Sequence, residues 1–179
     1  MTRAFVAVRP PDDVLDAVAA WLGEPDLPGA RFTTRDQWHI TLQFLGNRAD
    51  VDAVVDALAP LAVAAGPARL GGVGAFPNER RARVLWLGFA QGSELLTQLA
   101  AAVGALLAPL GHVPEARPYH PHLTLARLKV PSDVRAFVEQ LGPGAVGGTW
   151  AVRDVVVYES RLRRSGAEYE ARARVPLPA

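Results

Sequence analysis

His39 and Thr41 stand two residues apart in the string His39-Ile40-Thr41-Leu42, and the same arrangement returns 83 residues later as His122-Leu123-Thr124-Leu125. On an extended strand side chains alternate between faces, so each histidine shares a face with its threonine while Ile40, Leu42, Leu123 and Leu125 point the other way. Two imidazoles with hydroxyls beside them supply a general base, a general acid and hydrogen-bond donors for a phosphate, with no metal and no covalent nucleophile. That set suits phosphodiester cleavage. A single His-x-Thr arises by chance in many chains; a matched pair carries more information.

The elements that must position these dyads are legible in outline. Arg3–Val8 reads as a strand, and Pro11 opens a helix with Val14, Leu15, Val18, Trp21 and Leu22 on one face. A short strand over Arg31–Thr34 precedes the first dyad strand, Trp38–Leu45, closed by Gly46-Asn47. Asp50 caps a second helix, and Ala68–Phe76 and Arg83–Ala90 read as a hairpin. Ser93–Leu107 reads as a third helix, followed by an irregular stretch to Pro121 and the second dyad strand, His122–Leu128. Pro131-Ser132-Asp133 starts a fourth helix, Gly142–Gly148 is a glycine-rich link, and Trp150–Ser160 and Glu168–Val175 are strands. Each dyad strand thus runs into a turn and a capped helix, near half a chain length apart. The expected architecture is α+β and bilobal: one domain over residues 1–179 with two pseudo-symmetric lobes, each an antiparallel sheet with helices, and a central cleft carrying both motifs.

Composition narrows the chemistry further. At 179 residues and 50% hydrophobic content the chain is long enough to bury a core of its own. With no cysteine, disulfides, thiolate metal sites and cysteine nucleophiles are excluded. A formal charge of +1 excludes bulk polyanion binding, so any nucleic-acid contact must be local. No apolar run is read as reaching the roughly 18 residues of a membrane span, and the opening strand is no signal peptide, which gives a cytoplasmic expectation without membrane contact. The cations are arginines apart from Lys129. That bias is read as codon composition, since arginine serves on any solvated face, in preference to guanidinium forks for phosphate.

The paired His-x-Thr strings resemble the two-histidine phosphoesterase superfamily, in particular the bacterial and archaeal RNA 2′,3′-cyclic phosphodiesterases, the LigT-like enzymes. The likeness spans nearly the whole chain. It includes Arg3–Val8, Trp38–Gly46, Gly74-Ala75-Phe76-Pro77, Val84–Gly88, Pro121–Arg127 and Tyr158–Leu162. The resemblance implies a bilobal α+β fold and hydrolysis of RNA 2′,3′-cyclic phosphate ends to 2′-phosphomonoesters without metal or cofactor. In some members it also implies a reversible 2′–5′ RNA ligation. His39 would protonate the departing 3′ oxygen, His122 would activate water, and Thr41 and Thr124 would donate to the non-bridging oxygens. The expected partner is an RNA end met by a monomer. The rival readings are a sibling that opens a small cyclic nucleotide, such as an ADP-ribose cyclic phosphate, and a non-catalytic nucleotide-binding module.

Two residues set the resemblance against simple alternation. Arg127 matches the family's phosphate-contacting arginine, yet strict alternation puts it on the Leu123 face, so a site role requires a bulge or the strand's end. For Phe44 the resemblance implies base stacking, whereas alternation with Ile40 and Leu42 places it in the core. Both readings stand at the level of sequence. His112 reads as a loop residue, and His120, directly before the second dyad strand, is a further cleft candidate. The Gly71–Gly74 run lacks a following helix and reads as a strand entry, while Arg80, Arg81 and Arg83 mark a basic turn and Arg161, Arg163 and Arg164 a solvated cluster.

Overall fold

The run Ala4-Phe5-Val6-Ala7-Val8 is apolar at every position, the pattern of a strand covered on both faces. It forms β1 (Thr2–Val8), followed by α1 (Asp12–Leu22), whose Val14, Leu15 and Val18 are buried. The structure, a computed structural model, describes residues 2–47, 49–164 and 166–179. The chain continues as β2 (Ala30–Phe32), a 3₁₀ turn (Arg35–Gln37), β3 (Ile40–Gly46), α2 (Val51–Leu58), β4 (Gly66–Phe76) and β5 (Ala82–Gln91). It ends with α3 (Ser93–Leu107), β6 (Leu123–Ser132), α4 (Arg135–Leu141), β7 (Ala145–Val152), β8 (Asp154–Arg163) and β9 (Gly166–Pro176).

The strands form an antiparallel sheet in the order β7-β4-β5-β6-β3-β1-β8-β9, with β2 added against β6. The dyad strands β6 and β3 are the central pair, with three strands outside each, and they meet through one residue pair, Ile40 opposite Leu123. This is the expected α+β class, with the strands joined in one continuous sheet instead of one sheet per lobe. The helices cross it: α3, which follows β5, packs under β3, and α1, which follows β1, packs under β7. The main core lies between sheet and helices and contains Ile40, Leu42, Leu123, Leu125, Leu99 and Val103. A smaller cluster of Phe5, Ala7, Val156 and Tyr158, with Tyr169 against it, lies on the opposite face of β1 and β8.

Several boundaries differ from the sequence reading. β6 continues to Ser132 because Ser132 pairs back with Ala82 of β5, so the fourth helix starts at Arg135 instead of Pro131. The segment Trp150–Ser160 is two strands that part at Arg153, where the chain leaves β4 and crosses to the other side of the sheet beside β1. β7 already begins at Ala145, inside the expected glycine-rich link. The short strand is Ala30–Phe32, since Thr34 caps the 3₁₀ turn with Gln37.

The expectation of no span-length apolar run needs correction: Ser93–Leu110 is long and apolar enough by length and composition. Its buried residues Leu96, Leu99, Ala100, Val103, Gly104 and Leu107 recur at helical spacing, so the segment lays one face on the core.

Candidate active site

The Ile40–Leu123 pair brings the dyads together. Carried one residue either way, the antiparallel register sets His39 across from Thr124 and Thr41 across from His122. Each histidine stands just before its strand and is anchored in the same way. Nδ1 of His39 lies 2.7 Å from the Gln37 carbonyl, and Nδ1 of His122 lies 2.7 Å from the His120 carbonyl. A carbonyl only accepts, so each Nδ1 carries hydrogen and each Nε2 is the working nitrogen. At His39 that nitrogen accepts from the Thr41 hydroxyl at 2.9 Å.

The question of face at Arg127 and Phe44 is resolved by two bulges. In β6 the register with β5 shifts between Leu85 opposite Ala126 and Trp86 opposite Thr124, leaving Leu125 as the extra residue. In β3 the register with β1 shifts between Val6 opposite Gln43 and Ala7 opposite Thr41, leaving Leu42 as the extra residue. Leu42 and Gln43 are therefore both buried, as are Leu125 and Ala126, and the next residue in each strand returns to the histidine face. Those residues are Phe44 and Arg127. Phe44 is 61% exposed, which overturns the core reading. The Arg127 guanidinium is exposed and close enough for its charge to act on both His39 and His122.

The two rings have different surroundings. His39 is walled by the second, smaller apolar cluster: Phe5 at 4.7 Å between ring centroids, Tyr169 at 5.1 Å and edge-on, Tyr158 at 6.3 Å. Burial, reinforced by the nearby His122 and Arg127, pushes its pKa down to about 4. His122 lies against Phe76 at 4.9 Å, with Trp86 at 6.4 Å and the nearly parallel ring of His120 at 6.5 Å. Its pKa is also lowered, by burial and then by the charges of His120 and Arg127. His120 itself is exposed and packs edge-on against Trp86, whose indole lies flat over Gly74, where any Cβ would collide with it.

The sequence reading missed the His39 wall and the ties that fix it. Tyr119 donates to the Thr41 carbonyl at 2.9 Å, and Gln37 donates to the Ala167 carbonyl at 2.8 Å, fastening the β8–β9 hairpin beside the site. Thr33 donates to the Thr124 carbonyl at 2.7 Å and accepts from the Trp38 indole at 2.9 Å. Only the aromatic richness of Phe5, Tyr158 and Tyr169 signals the wall, and Phe5 lies far in sequence from the β8–β9 hairpin that carries the other two. His112 is a loop residue, as expected; its carbonyl accepts from the buried Gln43. Arg161 and Arg163 are ion-paired with Glu170 and Glu168, in keeping with a solvated cluster. Among the described residues no group of three or more histidines or carboxylates is placed to hold a metal ion. Two hollows, one beside Arg9 and Arg174 and one beside Asp52 and Arg172, hold neither histidine.

The sheet seam thus carries two histidine–threonine dyads with an arginine and an aromatic ring beside them. The chain belongs to the 2′-5′ RNA ligase superfamily, whose sequence profile matches residues 5–164. It is 31% identical over 172 residues to the RNA 2′,3′-cyclic phosphodiesterase of Escherichia coli, covering 93% of this chain and 92% of that one. With the Thermus thermophilus enzyme of the same name the identity is 34% over 178 residues, covering 93% and 86%. Among solved structures, TT0787 of Thermus thermophilus superposes with a TM-score of 0.80 at 29% identity, covering 97% of each chain. E. coli LigT complexed with 3′-AMP gives 0.80 at 26% identity, covering 99% of each.

Proposed function

We propose that this protein hydrolyses 2′,3′-cyclic phosphate ends of RNA to 2′-phosphomonoesters, without a metal ion, using His39 and His122 as the acid–base pair. The observation that carries the reading is the seam itself, which gathers two imidazoles, two hydroxyls and an arginine from strands far apart in sequence. The naming of its relatives as RNA 2′,3′-cyclic phosphodiesterases agrees with it.

In the reaction a water oxygen attacks phosphorus and the bond from phosphorus to the 3′ oxygen breaks, releasing ring strain. His122 Nε2 takes the proton from water, and protonated His39 gives its Nε2 proton to the departing 3′ oxygen. Thr41 and Thr124 donate to the non-bridging oxygens, where charge accumulates, and Arg127 holds the same oxygens from the bulged strand. Phe44 stacks the terminal base. A 5′-hydroxyl entering in place of water gives, by the same proton movements, a 2′–5′ linkage.

The surroundings of the two rings accommodate this division of roles. The penalty on protonated His39 is chiefly burial, and an anionic phosphate bound in that low-dielectric box offsets it, so substrate binding loads the acid. Burial, with the neighbouring imidazole of His120, opposes protonation of His122 and keeps it fit to act as base. One chain supplies both dyads, so a monomer suffices, and a cytoplasmic enzyme accords with RNA as its substrate.

The test is cleavage of an end-labelled oligoribonucleotide with a 2′,3′-cyclic phosphate in excess EDTA. Formation of the 2′-phosphate is expected at an undiminished rate. Loss on chelation with recovery on adding a divalent ion refutes the two-imidazole mechanism.

A further inference from the structure

Arg31 of β2 stands directly opposite Arg127 of β6 in the antiparallel register. Residues directly opposite in such a pair project to the same face, and two like charges placed so repel each other. Arg127 is on the histidine face, so Arg31 is too. Lys129, the only lysine of the chain, lies two residues beyond Arg127 on β6; Arg127 and Lys129 are exposed while Leu128 between them is buried. Three cations therefore start from one face of β2 and β6 at one end of the site, with Arg127 and Lys129 about 7 Å apart along the strand, the scale on which successive phosphates of a single strand follow one another.

Arg127 and Lys129 differ from the arginines on the neighbouring hairpin. On β8 and β9, Arg161, Arg163, Arg172 and Arg174 each pair with a carboxylate, Glu170, Glu168, Glu159 and Asp154 respectively. Among the described residues the side chains of Arg127 and Lys129 take part in no ion pair or hydrogen bond, so no described carboxylate is paired with either charge. Uncompensated like charges at adjoining positions are accommodated when an anion binds between them, and here the strand delivers that anion next to His39 and His122.

We propose that Arg31 and Lys129, flanking Arg127, form a second anion subsite that takes the phosphodiester preceding the cyclic phosphate. The enzyme then selects RNA ends of two or more nucleotides over free cyclic mononucleotides. The inference rests on the phosphodiesterase reading above and adds the length of its substrate. Adenosine 2′,3′-cyclic phosphate lacks the second phosphate; diadenylate ending in a 2′,3′-cyclic phosphate has it.

The experiment measures kcat/KM for these two substrates, as a function of salt, in the wild-type protein and in Arg31→Ala, Lys129→Ala and the double variant. The wild-type protein is expected to prefer the dinucleotide by about tenfold or more at low salt, the worth of one charge-assisted contact. Its log–log salt slope should be steeper by about 0.7 for the dinucleotide, one extra phosphate contact. Each single variant lowers the preference, and the double variant brings it near unity. Mononucleotide turnover in the same preparations reports that the variants are folded. Equal kcat/KM for both substrates in the wild-type protein overturns the proposal while leaving the phosphodiesterase reading in place. A preference that survives the double variant, or one with no change in salt slope, also overturns it, because the second base and not the second phosphate is then being read. Cleavage of neither substrate removes the phosphodiesterase reading and this proposal with it.

Discussion

A histidine ring walled by Phe5, Tyr158 and Tyr169 holds a proton poorly, and the general acid of a cyclic phosphodiesterase needs one. With the His39 pKa at about 4 and that of His122 also lowered, both rings are neutral in the free protein at pH 7. Because kcat/KM reports the free enzyme, its pH profile should be a bell centred below 6.5, whereas kcat, which reports the substrate-loaded state, should peak at higher pH. A kcat/KM maximum above pH 7 contradicts the burial argument. Tyr169→Ala opens one wall of the box and should move that maximum upward. Replacing either His39 or His122 by alanine should lower kcat by roughly 10²-fold or more with little change in KM, and Thr41→Ala and Thr124→Ala should be milder. The residual rates separate the two roles. In His122→Ala the need for a deprotonated base is gone, so the remaining rate should fall steadily as pH rises; in His39→Ala it should rise steadily. The reverse pattern exchanges the acid and the base.

β3 and β6 carry the site as elements, each having the sequence histidine, core residue, threonine, bulged core residue, second buried residue, then a residue returned to the site. The bulges turn positions that alternation assigns to the core into site positions, and the two halves fill them differently, Phe44 on one and Arg127 on the other. Arg127→Ala should therefore raise KM by roughly 10- to 100-fold, the loss of hydrogen bonds to a charged group, with a smaller effect on kcat. Phe44→Ala should weaken nucleotide substrates alone; glycerol cyclic phosphate, which has no base to stack, should be unaffected, and an equal loss on both would remove the stacking role. The dyads were legible in sequence because their spacing matches the strand period that makes them useful. The faces of Phe44 and Arg127 were not, since one extra residue at Leu42 or Leu125 inverts the parity of all that follows and leaves no mark in composition. The continuation of β6 to Ser132 was hidden for a similar reason: Pro131-Ser132-Asp133 has the chemistry of a helix start, and only pairing with Ala82 of β5 holds it extended.

At the scale of the molecule, the halves share one backbone pair at the seam, and the helices that cross it do much of the joining: α3 under β3 and α1 under β7. Opening the seam would expose Ile40 and Leu123, both fully buried, so the histidine environment and global folding are coupled. That coupling contributes to the loss of stability in acid. The unfolded chain binds a proton at His39 with a pKa near 6.5, whereas the folded chain binds it only near about 4, so below 6.5 the unfolded state carries the extra proton. The group's contribution is thus fully present above pH 6.5 and is lost as pH falls toward 4, a change of roughly 3 kcal/mol, with His122 adding in the same direction. Urea unfolding across pH 4–7 should show this slope in the wild-type protein, and His39→Gln, which keeps polarity without titrating, should flatten it. A saturating 2′-phosphomonoester product, whose negative charge favours protonated His39, should also reduce the acid loss by binding the folded state. An unchanged slope in His39→Gln would mean that the ring is hydrated in solution, and the aromatic wall would then no longer account for the poise of the acid.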